Sequence, residues 1–269
     1  MCVTILDEIL KTKLDEVTLL RQPQTRDLLR GRALDAPPAR DFAGALRRSD
    51  GNVAVIGEIK RRSPSKGDLA PDLDAGATAT AYEAGGAAAL SVLTDGPYFG
   101  GLVADLQAAS DATTLPILRK DFTIDEVQIY EARAIGADAI LLICSAISED
   151  ALLADLQGLA LDLGLSVLVE AHDWAEVLRA VEIGARVIGV NSRDLATFNE
   201  DLAGARALAD AIPSDRVAVA ESSIRSAVDA RAMASAGFDA VLVGEALVRA
   251  EDPVALLRDL AAAPVARRG

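Results

Sequence analysis

Eight short apolar runs recur along the chain, and each finishes on polar residues. Residues 53–60 end in Glu58-Ile59-Lys60, 88–95 in Thr94-Asp95, and 116–122 in Lys120-Asp121 followed by Phe122. Residues 139–145 end in Cys144-Ser145, 166–172 in Glu170-Ala171-His172, and 186–194 in Asn191-Ser192-Arg193 with Asp194. Residues 216–223 end in Glu221-Ser222-Ser223, and 240–247 pass through Gly244-Glu245. Runs this short, uniformly apolar and rich in Val, Ile and Leu, read as strands buried on both faces. Roughly 20–35 residues of helical pattern separate them, which predicts a (βα)8 barrel.

Helical spacing follows the strands at 72–85, 125–135, 148–164, 174–184, 201–211, 226–237 and 253–262. Gly136, Gly164, Gly184 and Gly237 each stand just past a helix, where a left-handed residue commonly ends one. Upstream, Ile5, Leu6, Ile9, Leu10, Leu14, Val17 and Leu20 keep a helical period. Residues 34–42, with Pro37-Pro38, read as a connecting loop. The expected organisation is one barrel over 49–269 with a helical extension, 1–48, laid over it. Two loops stand out: 61–68, long and polar with Pro and Gly, and 94–101, which carries Tyr98 and Phe99.

Length fits this picture, since 269 residues is close to the about 250 that such a barrel needs. A net charge of −14 argues against nucleic acid or an anionic membrane surface as partner. An anionic ligand would then need local attraction, for which Lys60-Arg61-Arg62, Lys66, Arg119-Lys120 and Arg193 stand at or just after strand ends. Cys2 and Cys144 suggest neither a disulfide framework nor a metal motif. No secretory h-region or membrane-length apolar segment is present, so a cytoplasmic location is expected.

In barrels of this type chemistry sits where the strands finish. Glu58 and Lys60 share one side of their strand by period-two alternation. Lys120, Glu170, Asn191 and Glu221 stand at the ends of four others. Charges turned into a barrel mouth are expensive to desolvate unless they pair or act. Mixed acids and bases at close quarters shift one another's proton affinity, as general acid–base work requires. Ser222-Ser223-Ile224 is expected to lead into a helix and, with Gly244-Glu245, to offer an anion site. His172, the single histidine, belongs to no nucleophile triad and is read as capping or packing, and Trp174 as packing.

The segment Ile56-Gly57-Glu58-Ile59-Lys60-Arg61-Arg62-Ser63-Pro64-Ser65 closely resembles the signature of the indole-3-glycerol-phosphate synthase family of tryptophan biosynthesis. The resemblance continues through residues 87–95, Tyr98-Phe99, 116–122, Leu168-Val169-Glu170, Asn191 with Arg193-Asp194-Leu195, and 219–222, and extends to the opening helix. It implies ring closure of 1-(2-carboxyphenylamino)-1-deoxyribulose 5-phosphate to indole-3-glycerol phosphate, with loss of carbon dioxide and water and no metal or organic cofactor. It further implies Lys120 as general acid, Glu58 and Lys60 as the pair for closure and dehydration, and Glu170 as their partner in dehydration. Asn191 and Glu221 become positioning residues, Ser63 and Arg193 anion and hydroxyl contacts, and Phe99, Phe122 and Leu141 walls of the anthranilate pocket. Ser222, Ser223, Gly244 and Glu245 fall at the phosphate site, although the family usually carries Gly where Ser223 stands. The expected partner is the anionic phosphosugar–anthranilate substrate alone, and a monomer is expected. Two alternatives stay open: a Schiff-base lyase using Lys60 or Lys120, and a non-catalytic phosphate-binding barrel.

Overall fold

The structure, a computed structural model, describes residues 4–193, 201–266 and Arg268. Cys2, Asp194 and Leu195 lie outside the described residues. Eight parallel strands close into a barrel: β1 Ala54–Ile59, β2 Ala89–Leu93, β3 Ile117–Lys120, β4 Ala139–Ile143, β5 Ser166–Ala171, β6 Val187–Asn191, β7 Val217–Glu221 and β8 Ala240–Val243. The last strand returns to the first in register, from Ala54 beside Ala240 to Gly57 beside Val243. Three helices precede the barrel: α1 Ile5–Leu20, α2 Pro23–Asp35 and α3 Phe42–Ala45. The rest follow strands: α4 Ala75–Ala84, α5 Gly96–Phe99, α6 Val103–Ala112, α7 Glu126–Ala134, α8 Asp150–Asp162, α9 Trp174–Glu182, α10 Leu202–Leu208, α11 Ala227–Ser235, α12 Glu245–Arg249 and α13 Pro253–Leu260. Among the described residues no helix is long and apolar enough to cross a membrane.

Alternation along each strand divides the apolar residues between two cores. Val55, Leu90, Ile117, Ile140, Val169, Ile188, Ala218 and Val241 pack outward under the helices. Ala54, Ile56, Leu118, Leu141, Leu168, Val187, Val219 and Leu242 fill the cylinder. Both faces of every strand are covered, which is why the runs read as uniformly apolar. Gly136 and Gly184, at φ 90° and 78°, end α7 and α9 in the left-handed region, where a Cβ is disfavoured.

The extension clasps the barrel at both openings. A capping box between Thr4 and Asp7 starts α1. Its Ile9 joins the inner core beside Phe122, with Ile5, Leu6, Tyr98 and Phe99 packed on the same cluster. Helix α2 runs down the outside against α7. The loop 36–41 is fixed at the opposite rim, where Arg40 pairs with Asp138 at 2.8 Å and also donates to the Thr113 carbonyl and the Ser110 hydroxyl. Phe42 and Leu46, both fully buried, then stopper the cylinder floor. The polar composition of α2 hides it from a reading based on apolar period.

Three expected boundaries move. The eighth run stops at Val243 because Gly244 opens the short helix α12. The seventh stops at Glu221, and the helix after it begins at Ala227 under a Ser226 cap, so Ser222-Ser223 do not start it. The loop 94–101 contains the turn α5, capped by the Asp95 carboxylate.

Candidate active site

Continuing the inward parity of Ile56, Leu118, Leu168, Val187 and Val219 by two or four residues reaches Glu58, Lys120, Glu170, Asn191 and Glu221. Here the apolar filling ends and the polar groups face a pocket of about 1010 Å³, counting its open mouth. Lys60, Ser63, Phe99, Phe122, Leu141, Arg193, Ser222, Ser223, Gly244 and Glu245 complete the part of the lining singled out from sequence. Ile224, named with the serines before it, lines it too, and so do Pro64, Ser65 and Arg225, which had been given no role. Their signal was position alone: they directly extend the Ser63 and Ser223 loops.

At the centre the Lys120 ammonium lies 2.9 Å from Glu170 and 2.5 Å from Glu221. Burial alone would make that ammonium easier to deprotonate. The carboxylates of Glu170, Glu221 and Glu58 outweigh burial and hold it above the usual lysine range. The two partners diverge. Burial pushes the Glu221 carboxyl up to about 7, and the Glu170 charge adds to that push against the pull of Lys120. Burial also opposes ionisation of Glu170, but Lys120, His172 and the Asn191 amide reverse it and bring the group down to about 2. At neutral pH Glu170 is the ionised member of the pair, and Glu221 is the one inclined to keep its proton. Asn191 Nδ2 donates to Glu170 at 3.0 Å, and Asn191 Oδ1 accepts from the Arg193 backbone N–H at 3.0 Å. Glu58 and Lys60 form a second pair at 2.5 Å across the cavity wall. A Cβ on Gly244 would run into the Glu58 carboxylate and stand 3.0 Å from the Lys60 ammonium, so that pair needs a glycine there.

His172 is half-buried beside this cluster. Its Nδ1 faces Glu176 at 3.1 Å, and its Nε2 lies 3.4 Å from Glu170. Burial lowers its proton affinity, but Glu176 and Glu170 more than restore it, so its pKa is raised. It packs, as expected, though against a site carboxylate.

Of the cations expected to attract an anion, Arg61, Arg62, Lys66 and Arg119 do not line the pocket. Arg119 points outward, because alternation puts it on the opposite side of β3 from Lys120. It is held by Thr94 at 3.0 Å, Asp121 at 3.2 Å and Glu131 at 2.6 Å. Arg61 pairs with Asp105 and the Leu73 carbonyl. Neither lines the pocket, whereas Arg225 and Arg193 do. Ser222 and Ser223, at φ 66° and 58°, are consecutive left-handed residues carrying a Cβ. Ser223 is tied down by the Ser192 hydroxyl at 2.8 Å. Strain of this kind concentrates at ligand sites. On the opposite wall the rings of Phe99 and Phe122 stand 6.1 Å apart, tilted by 39°.

A family model for indole-3-glycerol phosphate synthase matches residues 6–260. The chain belongs to that family. Its activity is that of a carboxy-lyase of tryptophan biosynthesis, which closes the indole ring on a phosphosugar–anthranilate substrate. Two solved structures share the barrel at 19% identity. A thiamine phosphate pyrophosphorylase from Pyrococcus furiosus superposes at TM-score 0.57 over 77% of this chain and 93% of its own. A 3-hexulose-6-phosphate synthase does so at 0.61 over 80% and 100%. At that identity the likeness concerns the fold alone.

Proposed function

We propose that the indole-3-glycerol phosphate synthase reaction runs in this pocket with Lys120 as general acid, and that the carboxyls beside it manage its proton. The single observation that carries this is the Lys120 ammonium bracketed by Glu170 and Glu221, two carboxyls of opposite proton affinity. The anthranilate ring rests against Phe99, Phe122 and Leu141. Its carboxylate-bearing carbon attacks the ribulose ketone, and the electron pair of that carbonyl moves onto oxygen. Lys120 delivers a proton there. An alkoxide is a stronger base than an amine, so the transfer is downhill even from an ammonium held so firmly. Carbon dioxide then leaves, returning its bonding pair to the ring, which needs no base. Dehydration needs an acid for the departing hydroxyl and a base for the proton on the carbon next to nitrogen. Lys60, paired with Glu58, serves as the acid and Glu170 as the base. Once Lys120 has given up its proton, the pull that suppresses the basicity of Glu170 is relaxed. Glu221, carrying a proton part of the time at neutral pH, reloads Lys120. Asn191 orients Glu170, and Ser63 and Arg193 contact the sugar hydroxyls and carboxylate.

The phosphate lies across Ser222, Ser223, Gly244 and Glu245, where the strained backbone and nearby Arg225 favour an anion. Lys120 as Schiff-base nucleophile is disfavoured, because an amine held charged by two carboxyls is not nucleophilic. We take the enzyme to work as a cytoplasmic monomer without nucleic acid, in keeping with its charge of −14. Sedimentation at a mass other than 28.0 kDa would overturn the monomer. The roles are tested with purified Lys120→Met, following indole fluorescence. Turnover should fall by about 10²–10⁴-fold while product affinity stays within a few-fold. Near-normal turnover would refute the assignment.

A further inference from the structure

Helix α1 carries a lysine that the chemistry does not use. Lys13 is 1% exposed, the one buried charge on that helix. Its ammonium lies 2.9 Å from Asp95, 2.9 Å from Asp121 and 2.8 Å from Glu16. Asp95 and Asp121 follow β2 and β3, and each also holds the backbone of a pocket aromatic. Asp95 Oδ1 accepts the N–H groups of Tyr98 at 2.8 Å and Phe99 at 3.1 Å. Asp121 Oδ1 accepts the N–H of Phe122 at 2.8 Å. One cation therefore joins the two carboxylates on which the two ring-bearing backbones hang.

We propose that Lys13 is a positioning residue for the aromatic wall: by clamping Asp95 to Asp121 it sets the separation and tilt of Phe99 and Phe122. This rests on the reading of those two rings as the anthranilate pocket. Two buried carboxylates side by side repel, and among the described residues Lys13 is the cation that pairs with both. Arg119 and Thr94 satisfy the far oxygen of Asp121, but Asp95, fully buried, has no cation besides Lys13 among the described residues. Without the ammonium the α5 turn would swing away from β3 and open the ring slot, leaving the phosphate loops on the opposite wall untouched. Ile9, one turn earlier on α1, packs in the same cluster as Phe122, Tyr98 and Phe99, so helix and wall form one unit.

A simple structural tether would behave differently. The hydroxyl pair Thr12–Tyr98, 3.0 Å apart, also ties α1 to this loop but touches neither carboxylate. The experiment measures affinity for indole-3-glycerol phosphate, and for inorganic phosphate by its competition with that product, in Lys13→Met, Lys13→Arg and Thr12→Val. Lys13→Met should weaken the ring-bearing ligand by about tenfold to a hundredfold and leave phosphate within twofold. Lys13→Arg should recover most of the loss, and Thr12→Val should show none. Equal weakening of both ligands, no weakening, or the same selective loss in Thr12→Val would each overturn the clamp. If Lys13→Met does not fold, Asp95→Asn, which keeps the oxygen facing Phe99 N–H and removes one charge, is read in the same way. Phe122→Ala separates the two readings. If it retains product affinity, the wall itself is misassigned; if it loses affinity while Lys13→Met does not, only the clamp fails.

Discussion

Glu221 sets the sharpest quantitative expectation. Its carboxyl is 2% exposed, and Oε1 has no hydrogen-bond partner among the described residues. That oxygen is pressed so close to Gly189 that a Cβ there would collide with it. Burial raises the group from an ordinary 4.5 to about 7. A carboxyl raised in the folded state binds its proton more tightly than the unfolded chain does. Folding is therefore relatively favoured below the unfolded value, and that advantage is lost as pH rises through the window up to about 7. At about 1.4 kcal/mol per factor of ten, the whole window is worth about 3 kcal/mol, of which about 2–3 kcal/mol falls between pH 5 and pH 8. Glu170 and Lys120 stay ionised across that interval. Glu221→Gln removes the titration and little else, since amide and protonated carboxyl are nearly the same shape. Urea unfolding should give similar stabilities for the two proteins at pH 5. At pH 8 the variant should lead by about 2–3 kcal/mol, or about 4 °C in Tm for a chain this long. The limb of the wild-type rate profile near pH 7 should flatten in the variant as turnover drops. A stability difference unchanged between the two pH values would refute the argument, and so would a wild type that gains on the variant as pH rises.

Other expectations follow from single contacts. Gly244→Ala should displace the Glu58–Lys60 pair and lower kcat by about tenfold or more with little change in melting, and an unaffected rate would remove the packing argument. Ser223→Gly and Ser223→Ala both lose the hydroxyl, so their difference isolates the left-handed Cβ. The glycine variant should be more stable by about 1 kcal/mol in urea melts, and an alanine variant as stable as it would remove that strain. Phe42→Ala should cost about 3–5 kcal/mol by opening the cylinder floor while activity per folded molecule is unchanged, and a loss of kcat with full stability would contradict that.

The barrel was legible because two cores demand two apolar faces, which leaves the same uniform run eight times. Glu58, Lys120, Glu170, Asn191 and Glu221 were legible for the converse reason, being polar residues at the inward parity of buried strands. What escaped reading depends on direction and partnership in space. Arg119 and Lys120 are neighbours in sequence and face opposite sides of β3. Lys13 looks like one more charge on an amphipathic helix until Asp95 and Asp121 are folded around it. Arg225 sits in a loop whose path was obscured by taking Ser222-Ser223 for a helix start. Propensity could not reveal that both serines are left-handed, since Gly is the residue that normally marks such a turn.

The N-terminal helices have an implication for how the polypeptide is made. They leave the ribosome before any strand, yet the groups they grip arrive later: Asp95 and Asp121 for Lys13, Asp138 for Arg40, and the finished floor for Phe42. What is synthesised first must wait to dock. If the Lys13 clamp holds, the docking of these helices comes late, and the slot between Phe99 and Phe122 closes with it.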